Sequence, residues 1–87
     1  MSEDLARLGL RVGDVVRFRK ALTGGRWVQA RVVGGERDGS VALRDARGHA
    51  RSIRPDRLEV QAAGPRGARR WEPVHERAAR DEQLRLL

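Results

Sequence analysis

Apolar and polar side chains alternate with period two along much of residues 11–60, the pattern of strands with one buried and one solvated face. From Asp14 to Lys20, Val16 and Phe18 fall on one side and Val15, Arg17 and Arg19 on the other. Trp27 to Val33 repeats this, with Val28, Ala30 and Val32 facing inward and Trp27, Gln29 and Arg31 outward. Asp38-Gly39 reads as a two-residue hairpin turn, where both central positions need positive φ. Beyond it Val41 and Leu43 point in, while Ala42 and Arg44 point out. A second turn, Asp45 to Gly48, leads into His49 to Ile53, and Arg54-Pro55-Asp56-Arg57 forms one tight helical turn before Leu58-Glu59-Val60. Glycines at 9, 13, 24, 25, 34, 35, 39 and 48 punctuate these runs, as expected of short antiparallel strands joined by turns.

Five strands follow, with an inward set of Val16, Phe18, Val28, Ala30, Val32, Val41, Leu43, Ile53, Leu58 and Val60. A sheet this short cannot bury both faces flat, and curling into a barrel removes its edges around one core. The expected fold is all-β, a five-stranded small barrel over residues 1–60, with Leu5, Leu8 and Leu10 of the N-terminal segment closing one end. Residues 61–72 hold Gly64, Pro65 and Gly67 and no apolar period, so they read as a linker or arm. Residues 73–87 read as a short α-helix and an interaction tail: Pro73 suits a first helical position, and no breaker interrupts Val74 to Glu82. With only Val74 and Ala78 on its apolar face, that helix docks weakly, through Trp71, or frays.

Charge then narrows the partner class. The 87 residues carry 19 Lys or Arg against 12 Asp or Glu, a formal net charge of +7. Lys20 is the one lysine among them; because a G+C-rich genome also favours arginine, the net sign is more informative than the residue type. A chain this basic is held near polyanions, which points to nucleic acid, DNA before RNA. There is no cysteine, which excludes a disulfide framework and thiolate metal sites. His49 and His75 do not share a metal-ligand spacing, so no metal and no cofactor are expected. Apolar runs of two or three residues fall far short of the roughly 20 that cross a bilayer. The acidic start Met1-Ser2-Glu3-Asp4 does not resemble a secretion signal, so a cytoplasmic, nucleoid-associated place and no membrane partner are expected.

The strings Val12-Gly13-Asp14-Val15-Val16-Arg17-Phe18, Gly25-Arg26-Trp27-Val28-Gln29-Ala30-Arg31-Val32-Val33, Val41-Ala42-Leu43-Arg44-Asp45 and Ile53-Arg54-Pro55-Asp56-Arg57-Leu58-Glu59-Val60 resemble SH3-like barrels of the Tudor, Agenet and KOW kind. In that superfamily a Gly-Asp opens the first strand, a Trp followed by x-x-Ala-x-Val fills the second, and a helical turn introduces the last. The resemblance implies the scaffold; such barrels host unrelated functions. The chain departs from Tudor-type readers of methylated side chains, which hold their ligand in an aromatic cage: it has Phe18, Trp27 and Trp71, no tyrosine, and Phe18 belongs to the inward set. Trp27 instead offers a plane on which a base stacks while arginines meet phosphates. The expected nucleic-acid surface is Arg17, Arg19, Trp27, Arg31, Arg44 and Arg51, with Arg69 and Arg70 from the arm.

Gln83-Leu84-Arg85-Leu86-Leu87 resembles the bacterial sliding-clamp-binding motif, whose usual form is Gln-Leu-x-Leu-Phe. That resemblance implies a peptide whose Gln83 amide bonds at a groove rim while Leu84, Leu86 and Leu87 enter an apolar pocket. The competing reading packs these leucines on the barrel. Catalysis has poor candidates: Ser2, Ser40 and Ser52 fall in a terminus, a turn and a strand, the histidines are far apart, and Asp14 suits fixing a turn. Gly24-Gly25 and Gly34-Gly35 lack the lysine and helix of a phosphate loop. The expectation is therefore a non-enzymatic binding module with no small-molecule substrate, contacting nucleic acid and bacterial replication or repair machinery. The alternative is an adaptor for transcription or repair proteins that does not touch nucleic acid.

Overall fold

The computed structural model describes residues 3–21, 24–63 and 69–76. A short helix α1 (Glu3–Arg7) precedes β1 (Val15–Ala21), β2 (Gly24–Gly35), β3 (Val41–Asp45), β4 (Ala50–Ile53), a 3₁₀ turn (Pro55–Arg57), β5 (Glu59–Ala63) and β6 (Arg69–Pro73). The strands form one antiparallel sheet in the order β4-β3-β2-β1-β5-β6. The fold is thus all-β, with β1 central because the chain returns after the 3₁₀ turn to lay β5 along its free edge.

A sixth strand corrects the expected architecture. Of the residues read as linker or arm, 61–63 instead extend β5 and 69–72 supply most of β6, whose register runs from Glu59↔Pro73 to Ala63↔Arg69, while 64–68 lie outside the described residues. Pro73, expected to open a helix, closes this strand, and residues 74–76 are the first helical ones. Backbone pairing with β5 overrides the weak local signal, because a strand edge offers a full ladder of hydrogen bonds to a chain without competing periodicity. The remainder of the expected helix and tail, including Gln83, Leu84, Leu86 and Leu87, lies outside the described residues.

The β2–β3 and β3–β4 hairpins each enclose three residues, one more than the two-residue turn read at Asp38-Gly39. In the first, Gly39 N–H donates to the Glu36 carbonyl at 3.0 Å and Glu36 N–H to Ser40 at 2.9 Å. The second repeats these bonds, from Gly48 to Asp45 and from Asp45 to His49. Gly39 at φ +89° and Gly48 at +82° occupy the left-handed position that three-residue hairpins need. β2 also carries a bulge: its register with β3 jumps from Val32↔Leu43 to Gly34↔Ala42, leaving Val33 unpaired and exposed.

The core consists of Leu5, Leu10, Val16, Phe18, Ala30, Val32, Val41, Leu43, Ile53, Leu58, Val60 and Val74, with Leu8 and Val28 packed against it. Nine members of the expected inward set are buried, and Val28 is half-buried at the rim. Leu5 and Leu10 enter through the end of α1, where Gly9 N–H donates to Ala6 and Leu10 N–H reaches back to Leu5 at 2.9 Å. This is the glycine-capped helix stop that pairs two apolar residues across the cap. Val74 is wholly buried, and its N–H donates to the Leu58 carbonyl at 3.1 Å, which seats the end of β6 on the core. Among the described residues no helix is long and apolar enough to cross a membrane.

Candidate nucleic-acid interface

Strand alternation places Arg17 and Arg19 on the outward face of β1, and the register sets Arg19 opposite Trp27, Arg17 opposite Gln29 and Val15 opposite Arg31. On its other side Arg17 faces Glu59 of β5. Arg17 Nε donates to Glu59 Oε1 at 2.7 Å, and a terminal nitrogen of the same guanidinium lies 2.6 Å from that oxygen. The guanidinium carbon stands 4.0 Å from the Trp27 ring centre and 4.7 Å from that of Trp71 on β6. Arg19 stacks on Trp27 as well, at 4.4 Å, and donates to the Gly25 carbonyl at 3.1 Å. Arg19, Trp27, Arg17 and Trp71 thus make a row of planar groups across the sheet. Arg17 is half-buried and neutralised by Glu59, so it organises this row, whereas Arg19 remains exposed. The Trp27 ring, expected to offer a free plane for a base, is already engaged by two guanidinium groups.

Beside the row, Arg31 of β2 pairs directly with Arg44 of β3. Like charges directly opposite one another repel. Each is drawn aside by a carbonyl: Arg31 donates to Gly13 at 3.0 Å and Arg44 to Gly48 at 2.8 Å. Together with Val15, Gln29, Gln61 and Arg69 they line an open cleft of about 330 Å³. Arg19, Arg31, Arg44 and Arg69 form no ion pair among the described residues. The positive charge of these four side chains is therefore not balanced by an ion pair among the described residues.

Asp45 also borders the cleft, with its carboxylate turned into its own hairpin. Its Oδ1 accepts from the His49 N–H at 2.9 Å and the Arg47 N–H at 3.0 Å, and its Oδ2 lies 3.4 Å from Arg51 Nε. The His49 N–H above all holds this carboxyl below the ordinary value of 3.8, against the opposing effect of desolvation. Asp38 is lowered likewise, chiefly by the Ser40 N–H that it accepts at 2.9 Å. Asp14 fixes the turn before β1, as its position suggested: its Oδ2 accepts from the Arg11 N–H at 2.9 Å.

The eight expected nucleic-acid residues therefore divide. Arg17, Arg19 and Trp27 belong to the planar row, and Arg31, Arg44 and Arg69 to the cleft. Arg51 is paired with Asp45 and opens on a second cleft beside Lys20, Trp27 and His49, while Arg70 lies 3.9 Å from the buried Glu72. Trp71, Glu59 and Gln61 join the site without having been expected there. A period-two pattern over Arg69, Trp71 and Pro73 against Arg70, Glu72 and Val74 carried that signal, but Glu72 at an inward position disguised it. His49 and His75 are both exposed, and no group of three His, Asp or Glu among the described residues could hold a metal. The chain matches no protein-family model, no curated protein and no solved structure.

Proposed function

We propose that this chain is a non-enzymatic nucleic-acid-binding module whose sheet curls into a small barrel of the SH3-like kind. The observation that carries the binding reading is the gathering of Arg19, Arg31, Arg44 and Arg69 on one sheet face without carboxylate partners among the described residues. Guanidinium groups meet phosphate oxygens in paired, charge-assisted hydrogen bonds, and a net charge of +7 draws the partner in. Trp27 serves by fixing Arg19 in place, with Arg17 and Trp71 completing the row, so that ordering Arg19 costs little when the partner arrives. The curled shape is supported by the return of β5 to β1, by the bulge in β2, and by a single apolar cluster drawn from all the strands up to β5.

Fluorescence anisotropy of labelled oligonucleotides over a salt series tests the binding. Four phosphate contacts give a slope of about −3 in log affinity against log salt. Arg31→Glu combined with Arg44→Glu weakens binding at every salt concentration and flattens the slope. A salt-independent affinity, or none, excludes this surface as a phosphate-binding one and leaves the adaptor reading. A second contact, between Gln83, Leu84, Leu86 and Leu87 and a bacterial sliding clamp, is supported by the sequence motif alone. Two linked weak contacts strengthen each other through effective concentration. Removing Leu86 and Leu87 is expected to abolish co-elution with purified clamp, and unchanged co-elution excludes the motif.

A further inference from the structure

The cleft beside the planar row holds a combination of groups that phosphate binding alone does not need. Gln29 and Gln61 bring primary amides to its walls, and among the described residues neither side chain has a hydrogen-bond partner. Each amide offers two N–H donors and a carbonyl acceptor within one plane. Around them stand Arg31, Arg44 and Arg69, two of which are already steered by the Gly13 and Gly48 carbonyls. Val15 adds an apolar patch to the lining. At about 330 Å³ the cleft lies at the small end of sites that enclose organic ligands. That volume suits a single nucleotide unit.

The geometry of the amides decides between single and double strands. A side-chain amide matches the adjacent donor and acceptor on a base edge, as guanidinium matches phosphate. In a duplex the pairing edges are occupied, and the groove edges are reached by elements that protrude, such as a helix or a two-stranded ribbon. Gln29 and Gln61 lie within β2 and β5 and line an open cleft on the sheet face, not a protruding element, so a base reaches them only when it has left its partner. Resting on the nucleic-acid reading above, we propose that the cleft takes one unpaired nucleotide of a single strand. Its phosphate lies against Arg31, Arg44 and Arg69, and its base edge against Gln29 and Gln61. Asp45 does not oppose this, because its charge is compensated by the hairpin N–H groups and by Arg51.

The test is anisotropy of the full chain with fluorescein-labelled oligonucleotides of about 12 residues at about 0.1 M salt, where exposed charges are partly screened. A DNA single strand, an RNA single strand of the same sequence, and the DNA duplex form the three arms. At least one single strand is expected to bind about tenfold or more tighter than the duplex, and the comparison of the first two arms shows which sugar is accepted. Gln29→Ala with Gln61→Ala is expected to weaken single-strand binding about tenfold, the loss of one or two hydrogen bonds, and by more than it weakens duplex binding. Equal affinity for strand and duplex, or an inert Gln29→Ala/Gln61→Ala variant, overturns the cleft assignment. In that case a continuing loss with Arg31→Glu/Arg44→Glu leaves the wider binding surface standing. Failure of all three arms overturns both.

Discussion

Arg17 shows how one side chain can organise a proposed binding face while its own charge is already met within the fold. Its charge is met by Glu59, and its planar surfaces lie against Trp27 and Trp71, so it joins β1, β2, β5 and β6 on their outward side. Lysine at this position keeps the charge and loses the stacking plane. Arg17→Lys is expected to cost about 1–2 kcal/mol of stability by urea denaturation, as is Trp71→Ala, and the double variant less than the sum. Asp45 adds a pH dependence whose sign is fixed. Its folded carboxyl is lowered from 3.8, so its contribution is full above the unfolded value and disappears as pH falls through the lower folded one. The urea midpoint of Asp45→Asn is therefore expected below that of the wild type near neutrality, with the gap closing as pH falls below 3.8 through the lowered folded value. At this scale the outward placement of Arg17, Arg19 and Trp27 was legible, because period-two alternation is local. The meeting of Arg17 with Glu59, 42 residues away, was not, since no local pattern specifies that register.

Strand β6 is the element on which sequence and structure part most. Gly64, Pro65 and Gly67 break the apolar pattern ahead of it, and Glu72 sits where an apolar residue would have announced a strand. Without β6, β5 is left as an edge, and the outward row loses Trp71. A chain ended after residue 63 also loses Val74 from the core and is expected to lose cooperative unfolding or to shift sharply to lower urea. Val74→Ala in the full chain is the milder version, with an expected cost of about 2 kcal/mol from two buried methyl groups and the space they leave. The strands up to β5 were readable from alternation and glycine spacing, apart from details set by backbone geometry: the extra residue in the Asp38-Gly39 hairpin and the bulge at Val33. The burial of Leu5 and Leu10 was also anticipated, although the short helix that delivers them was not.

For the whole molecule, a net charge of +7 indicates attraction to polyanions, and the fold decides where that charge is usable. Arg17, Arg51 and Arg70 lie near carboxylates, whereas Arg19, Arg31, Arg44 and Arg69 face outward around the planar row and the cleft without ion pairs among the described residues. The distinction between neutralised and available arginines could not be read from a sequence in which both kinds alternate along the same strands. It makes the central claim directional: one sheet face, and not the molecule at large, meets the nucleic acid. Titration of the ¹⁵N-labelled chain with an unlabelled single-stranded oligonucleotide, followed through backbone amide and arginine Nε resonances, tests this directly. The predicted result is that shifts concentrate at residues 19, 29, 31, 44, 61 and 69, with β4 and the 3₁₀ turn unmoved. Shifts spread evenly over all exposed arginines, or confined to residues 83–87, would contradict it.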